Sequence, residues 1–468
     1  MLSYLFKKGV ECNKNGRYKE AIEYFLRANK LAPNNVDILI GLSIAYGKIG
    51  KYYEEAKALK KCVELEPNTN NIYTWISLAY ACDKIEEYDE AIKSLKKCIE
   101  LEPRDYVNWI HLGEAYYKNG QHKESIEPFL KAAELEPNIS RCWYELGDAY
   151  DINGEHEKAR ESYLKAIEIL LKTMKLNSNM AINEKSEYLY TLGDLHCKIM
   201  KFEKAIDLYL ECLELDPNNI IYLGTLGDAY FQNGDGDIEQ AIKCYLGCLE
   251  LNPDNVAIWM SLGISYYKLD RYRDAIKWLS KSVELYPNIS QICWYPLGSS
   301  YYMIGKYKEA SDYLTKALEL DSDNIESLKS KNMLEIKQKI RALGLDSNSA
   351  EGWGLLGFSY YNLGKYADAI QCLTRAIELD TNDTEILNGI LHGLGSSYAI
   401  LGKYKEAIEY LSKYLKLNPE AALIWCDLGF LYNKNGQYKE AKECFSKAEE
   451  LDPNDIEIRN MLDKLNNI

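Results

Sequence analysis

The strongest constraint on this chain is a spacing. Prolines 33 and 67, 103 and 137, 253 and 287, and 419 and 453 stand about 34 residues apart, closing stretches of the ELEPN or ELDPN kind. Proline has no N–H to donate and clashes with the preceding turn, so at a fixed phase it marks a recurring helix end. A period of this length signals tandem copies of one supersecondary unit. With 468 residues, the chain is also too long for a single hydrophobic core.

Aligned on the prolines, each unit reads W-x-x-L-G-x-x-Y, then G-x-Y-x-x-A, an aromatic or Leu, a small residue and Pro. Trp109-Leu112-Gly113-Tyr116, Trp143-Leu146-Gly147-Tyr150, Trp259-Leu262-Gly263-Tyr266 and Trp425-Leu428-Gly429-Tyr432 carry the first half. Gly402-Tyr404-Ala407-Leu411-Pro419 and Gly436-Tyr438-Ala441-Phe445-Ala448-Pro453 carry the second. The i, i+3, i+7 stripe of Trp259, Leu262 and Tyr266 suits a helix that packs on a second one. Small residues such as Gly263 and Ala275 let the two helices approach.

About twelve such units start near residues 2, 36, 72, 106, 140, 186, 220, 256, 291, 350, 388 and 422, and by these motifs the chain resembles the tetratricopeptide repeat (TPR) family. The resemblance implies an all-α fold, a right-handed α-solenoid of stacked antiparallel helix pairs. One pair cannot bury both faces, so each needs its neighbours.

Four breaks interrupt the pattern. Residues 174–185 add about a dozen positions between the fifth and sixth units, expected as an extended helix and an Asn/Ser loop. The turn Gly234-Asp235-Gly236-Asp237-Ile238-Glu239 carries two extra residues, and its carboxylates fall short of a calcium loop's ligand set. Residues 323–346 lack the motif and resemble the tail at 454–468, which is expected as a capping helix. They read either as an internal cap or as a degenerate stacked repeat. With an internal cap, residues 1–340 form an array of about nine units and 341–468 one of about three, with a change of direction near Leu343-Gly344. Finally, Leu2, Tyr4, Leu5 and Phe6 open the first helix with no polar helix before them, and they form an edge for self-association or simply face the second helix.

Composition narrows the role. Lys and Arg total 56 against 71 Asp and Glu, a net charge of −15 that repels nucleic acid and anionic membrane surfaces. No apolar run is long enough to span a bilayer, and MLSYLFKKGV lacks the features of a secretory leader. Thirteen cysteines without a framework spacing point to a reducing compartment, the cytoplasm. Cys62, Cys98, Cys212 and Cys248 take the small slot that Ala132 and Ala166 take elsewhere, so packing explains them. Cys244 and Cys248 find no second pair for a metal, and His196 and Cys197 are sequence neighbours that point apart on a helix. No phosphate loop or catalytic triad emerges. The expectation is a non-enzyme without cofactor or metal.

In the family, the first helix of each unit lines the inner, concave side. The resemblance therefore assigns the ligand surface to Glu114, Glu145, Asp148, Asp151, Asp194 and Asp228, with Tyr117, Tyr144, Tyr190 and Phe231, an acidic and aromatic zone. It continues through Met260, Ile264, Tyr267, Tyr295, Tyr302, Phe358 and Tyr361, a zone almost without charge. The family's clamp for chaperone carboxylates does not fit, since Phe6 and Val10 fill its slots. Neither does the asparagine ladder of its glycosyltransferase arms, whose slot reads Ser77, His111, Glu145, Thr191, Thr225 and Ser261. The expected role is a scaffold that binds a protein or peptide, with basic residues for the acidic zone and apolar anchors for the other. The alternative is an assembly protein that stacks end to end through the Leu2–Phe6 edge.

Overall fold

The structure is a computed structural model. It describes residues 1–468 except 68, 178–179, 287–289, 320–348, 380–382, 454, 456–457, 460–461 and 463–468. The described residues form 24 helices and no strands, arranged as twelve antiparallel pairs. By contact they divide into two compact units, one spanning Met1–Pro217 and the other starting at Asn218.

The first unit holds α1 (Leu2–Lys14) with α2 (Tyr18–Leu31), α3 (Val36–Lys48) with α4 (Tyr52–Leu65), and α5 (Ile72–Lys84) with α6 (Tyr88–Leu101). It continues with α7 (Tyr106–Lys118) and α8 (His122–Leu135), α9 (Ser140–Ile152) and α10 (His156–Leu176), and α11 (Ile182–Lys198) and α12 (Phe202–Leu215). In the second unit α13 (Ile220–Asn233) pairs with α14 (Ile238–Leu251), α15 (Val256–Lys268) with α16 (Tyr272–Leu285), and α17 (Trp294–Met303) with α18 (Tyr307–Glu319). Then α19 (Ala350–Asn362) pairs with α20 (Tyr366–Glu378), α21 (Thr384–Ile400) with α22 (Tyr404–Leu417), and α23 (Ala422–Lys434) with α24 (Tyr438–Leu451).

The motif residues explain these bounds. After the proline, Asn35 and Asn255 cap α3 and α15, their side chains accepting the N–H of Ile38 at 3.1 Å and of Ile258 at 3.3 Å. The tryptophan six residues beyond the proline locks the entry. Its indole N–H donates to the proline carbonyl in Trp109–Pro103 at 2.9 Å, Trp143–Pro137 at 2.9 Å, Trp259–Pro253 at 3.0 Å and Trp425–Pro419 at 2.9 Å. Most pairs turn on a glycine at positive φ, as at Gly120 and Gly154, whereas Glu86, Met200 and Asp270 take the left-handed conformation without glycine's freedom.

The glycine within the first helix brings the second into contact. A Cβ on Gly147 would lie 2.5 Å from the Tyr163 ring, and one on Gly113 would lie 2.6 Å from Phe129. Around these contacts run successive buried clusters, such as Phe25 with Ile38 and Leu42, and Tyr163 with Leu192 and Leu195. The four slot cysteines are buried in the same way, and burial pushes the thiols of Cys62, Cys212 and Cys248 up to about 11 and that of Cys98 to about 12.

The breaks resolve unevenly. The insertion lengthens both flanking helices, to 21 residues in α10 and 17 in α11, leaving a short connection around Asn177 and Met180. The long turn becomes a short 3-10 segment at Asp235–Asp237, where Asn233 donates to Asp237 at 2.7 Å. At the start of the chain, Leu2 and Phe6 pack into the Phe25 cluster, and Tyr4 stays exposed. The segment at 323–346 with its expected turn and domain boundary, and almost all of the expected cap at 454–468, lie outside the described residues. Before and after that segment, α18 packs on α19: Leu314 and Leu356 share one buried cluster, and the Thr315 and Tyr360 hydroxyls meet at 3.4 Å.

Candidate functional site

Within each unit the first helices of neighbouring pairs touch: α1 meets α3 and α7 meets α9, while in the second unit α13, α15, α17, α19 and α21 touch in turn. Their shared face is where the sequence places the ligand surface. In the first unit it carries half-buried charge. Arg141 donates to Glu114 at 2.7 Å and lies 3.7 Å from Glu145; the His111 ring nitrogen is 3.2 Å from Glu114, and His156 is 2.8 Å from Asp151. Burial pushes the Glu114 carboxyl up, but the His111 hydrogen bond and the Arg141 charge outweigh it and hold the group below the usual carboxylate range. Tyr117 rests edge-on against His122 at 5.0 Å.

One of the acidic residues has a different place. Asp148 is 6% exposed and accepts the Tyr163 hydroxyl at 2.7 Å, while the Lys198 ammonium lies 3.0 Å from the same oxygen. Tyr144 donates to Asp194 at 2.6 Å, and Lys198 sits 6.0 Å from the Tyr144 ring. These five side chains tie α9, α10 and α11 together. Burial first, then the neighbouring carboxylates, push the Tyr144 and Tyr163 phenols far above their usual value, so both remain donors. Asp148 therefore leaves the set of surface residues: its negative charge is matched inside the array. Tyr190 stands against Tyr209, with ring centres 5.9 Å apart.

The second unit repeats the pairing once. Tyr245 donates to Asp228 at 2.8 Å, and Phe231 packs beside that pair's core. Met260 and Ile264, each 6% exposed, and Tyr295 at 3% are core residues, because the first helices here close over those slots. The same correction applies to all three: they pack the array and present almost no surface. Phe358 is half-buried beneath α21, where a Cβ on Gly393 would lie 2.9 Å from its ring. Tyr267, Tyr302 and Tyr361 are partly exposed and share one device. Each ring meets the tyrosine five residues on, across the turn: Tyr267–Tyr272 at 6.2 Å, Tyr302–Tyr307 at 5.6 Å and Tyr361–Tyr366 at 5.5 Å. Tyr267 also meets the Ser299 hydroxyl at 3.1 Å. A ring braced in this way loses little freedom when a ligand stacks on it.

Sequence reasoning passed over Tyr163, Lys198 and Tyr245. For the two tyrosines a signal is present: where Asp follows the helix glycine, at 148, 194 and 228, the ring facing that glycine is tyrosine, at 163, 209 and 245. It also passed over Ile44, Ile76 and Tyr80, exposed apolar side chains on α3 and α5; Ile44 and Tyr80 stand in the slot that holds Glu114 and Asp148 further along.

Comparison with known families agrees with this architecture. Tetratricopeptide repeat models match residues 2–35, 36–69, 72–105, 107–139, 129–161, 186–219, 225–288, 292–324, 350–383 and 399–465. No curated protein matches the chain. Among solved structures it is similar to one titled as the APC/C hetero-tetramer Cut9-Hcn1, with 17% identity, 99% of this chain and 96% of that chain covered, and a TM-score of 0.40. It is also similar to MamA, with 27% identity, 38% and 96% covered and a TM-score of 0.35, and to yeast Tom70, with 16% identity, 99% and 95% covered and a TM-score of 0.34. No described helix is long and apolar enough to cross a membrane.

Proposed function

The chain belongs to the tetratricopeptide repeat family, and from that premise we propose that it is a non-catalytic cytoplasmic scaffold that holds an extended segment of another protein along its inner helix faces. The observation that carries this reading is the difference between the two kinds of inner slot. In the first unit, Glu114, Glu145 and Asp151 are half-buried carboxylates on one face, suited to a segment with basic residues. In the second, the braced rings of Tyr267, Tyr302 and Tyr361 offer flat, nearly uncharged surface to apolar or aromatic side chains. The acidity of the whole chain argues against nucleic acid as the partner. End-to-end assembly through the first helix has less support, because Leu2 and Phe6 already pack on Phe25.

The test is binding of the partner recovered with the full chain, compared with the variant Glu114→Gln/Glu145→Gln/Asp151→Asn. These neutral substitutions leave the buried Asp148–Lys198 network untouched. Affinity should fall by about tenfold and its salt dependence should flatten. Unchanged affinity and salt slope would remove the acidic face from the account. Light scattering of the chain alone should give one monomer mass at all concentrations; a mass that grows with concentration would favour assembly instead.

A further inference from the structure

We infer that the second helix pair carries a recess for one basic side chain of a bound peptide, a lysine or an arginine, with Glu55 as its floor; this rests on the peptide-holding role above. The slot concerned lies near the start of the second helix and is small elsewhere, as in Ala21, Ala91, Ala159 and Ala275, all buried against the first helix. Here it holds a glutamate. Glu55 is 7% exposed, and its Oε2 has no hydrogen-bond partner among the described residues.

The facing helix makes room for it. In the inner slot where other pairs carry Tyr117, Asp151, Tyr267 or Tyr302, α3 has Gly47. A Cβ at Gly47 would lie 2.7 Å from both carboxylate oxygens, so the carboxylate fills the space in which a side chain at 47 would begin. Gly47 is itself half-buried, which puts backbone rather than a side chain between the carboxylate and the inner face. Exposed Ile44 lies one turn back on α3, and Tyr52, one turn back on α4, meets Tyr80 of α5 edge-on at 5.9 Å.

What singles out Glu55 is the missing partner. The other inner-face acids have theirs: Arg141 for Glu114, Lys198 and Tyr163 for Asp148, Tyr245 for Asp228. The nearby cations lie elsewhere, with Lys48 and Lys51 exposed and Lys84 over the Tyr80 ring at 5.2 Å. A buried carboxylate without partner is costly to ionise, and burial pushes the Glu55 carboxyl up to about 7. An ammonium or guanidinium entering beside Gly47 would supply the missing charge and donors. A lone carboxylate cannot provide the six or more oxygens a calcium ion takes, so a single organic cation is the matching occupant.

The experiment uses the full chain and fluorescent decapeptide pools of Ala, Leu and Ser with lysine, arginine or norleucine fixed at one position, read by anisotropy at pH 7.5. Norleucine keeps the stem of lysine and removes its charge. Wild type should bind the lysine and arginine pools about tenfold more tightly than the norleucine pool. That preference should fall below about twofold in Glu55→Gln and in Glu55→Ala, which restores the residue other pairs carry and therefore folds. A preference unchanged in both variants, or no preference in wild type, overturns the recess. If the preference survives Glu55→Ala yet is lost in the Glu114, Glu145 and Asp151 variant, the recess is wrong and the acidic face stands; if wild type binds none of the pools, the peptide-holding role falls with it.

Discussion

At the scale of single residues, the helix glycine and the ring above it set how closely two helices approach. The Tyr163 ring leaves no space for a methyl on Gly147, since that Cβ would sit 2.5 Å from the ring and the ring is fixed by its bond to Asp148. Gly147→Ala should therefore destabilise the first unit by about 1–3 kcal/mol in denaturant unfolding, and a loss below 0.5 kcal/mol would contradict the close approach. Glu55 gives a pH signature. Its folded carboxyl, pushed up by burial to about 7, lies above its unfolded value of 4.5, so its contribution is fully present below pH 4.5 and is lost as the pH rises through 7. Compared with Glu55→Gln, wild type should lose on the order of 3 kcal/mol between pH 5 and pH 8. Parallel stability curves for the two proteins would show that the carboxylate is already satisfied. The sequence makes the close approach at Gly147 legible, because a small residue recurs there in register, but it leaves an aromatic or Leu for the facing slot. The fate of Asp148 is hidden: it depends on Lys198, fifty residues on, whose approach is set by the packing of α9 on α11 rather than by any local pattern.

At the scale of helices and turns, the period, the prolines and the Trp-to-Pro spacing made almost every boundary legible. The insertion was harder to place, because surplus residues can extend a helix at either end or loop out, and here both α10 and α11 grow. The inner-face slots were only partly legible for a related reason. Met260, Ile264 and Tyr295 occupy slots whose residues are exposed in some other pairs, as at Ile44 and Ile76, but here the three lie inside one buried cluster. Turn chemistry supplies a test of its own. Met200 takes φ of 58° where most pairs use glycine. Met200→Gly should raise stability by about 0.5–1 kcal/mol in thermal or denaturant unfolding, whereas a loss of stability would mean that the methionine side chain outweighs its backbone strain.

At the scale of the whole chain, the proposed role makes one claim: within each unit a bound polypeptide meets the exposed side chains of the first helices rather than those of the second. Photo-crosslinking tests this directly. A benzophenone amino acid is placed in turn at Asp151 and Tyr267 on first helices and at Leu164 and Leu246, exposed on second helices. Crosslinks from residues 151 and 267 into one and the same partner, with none from 164 and 246, are the predicted result. Equal yields from all four positions, or yields greatest from the second helices, would contradict it.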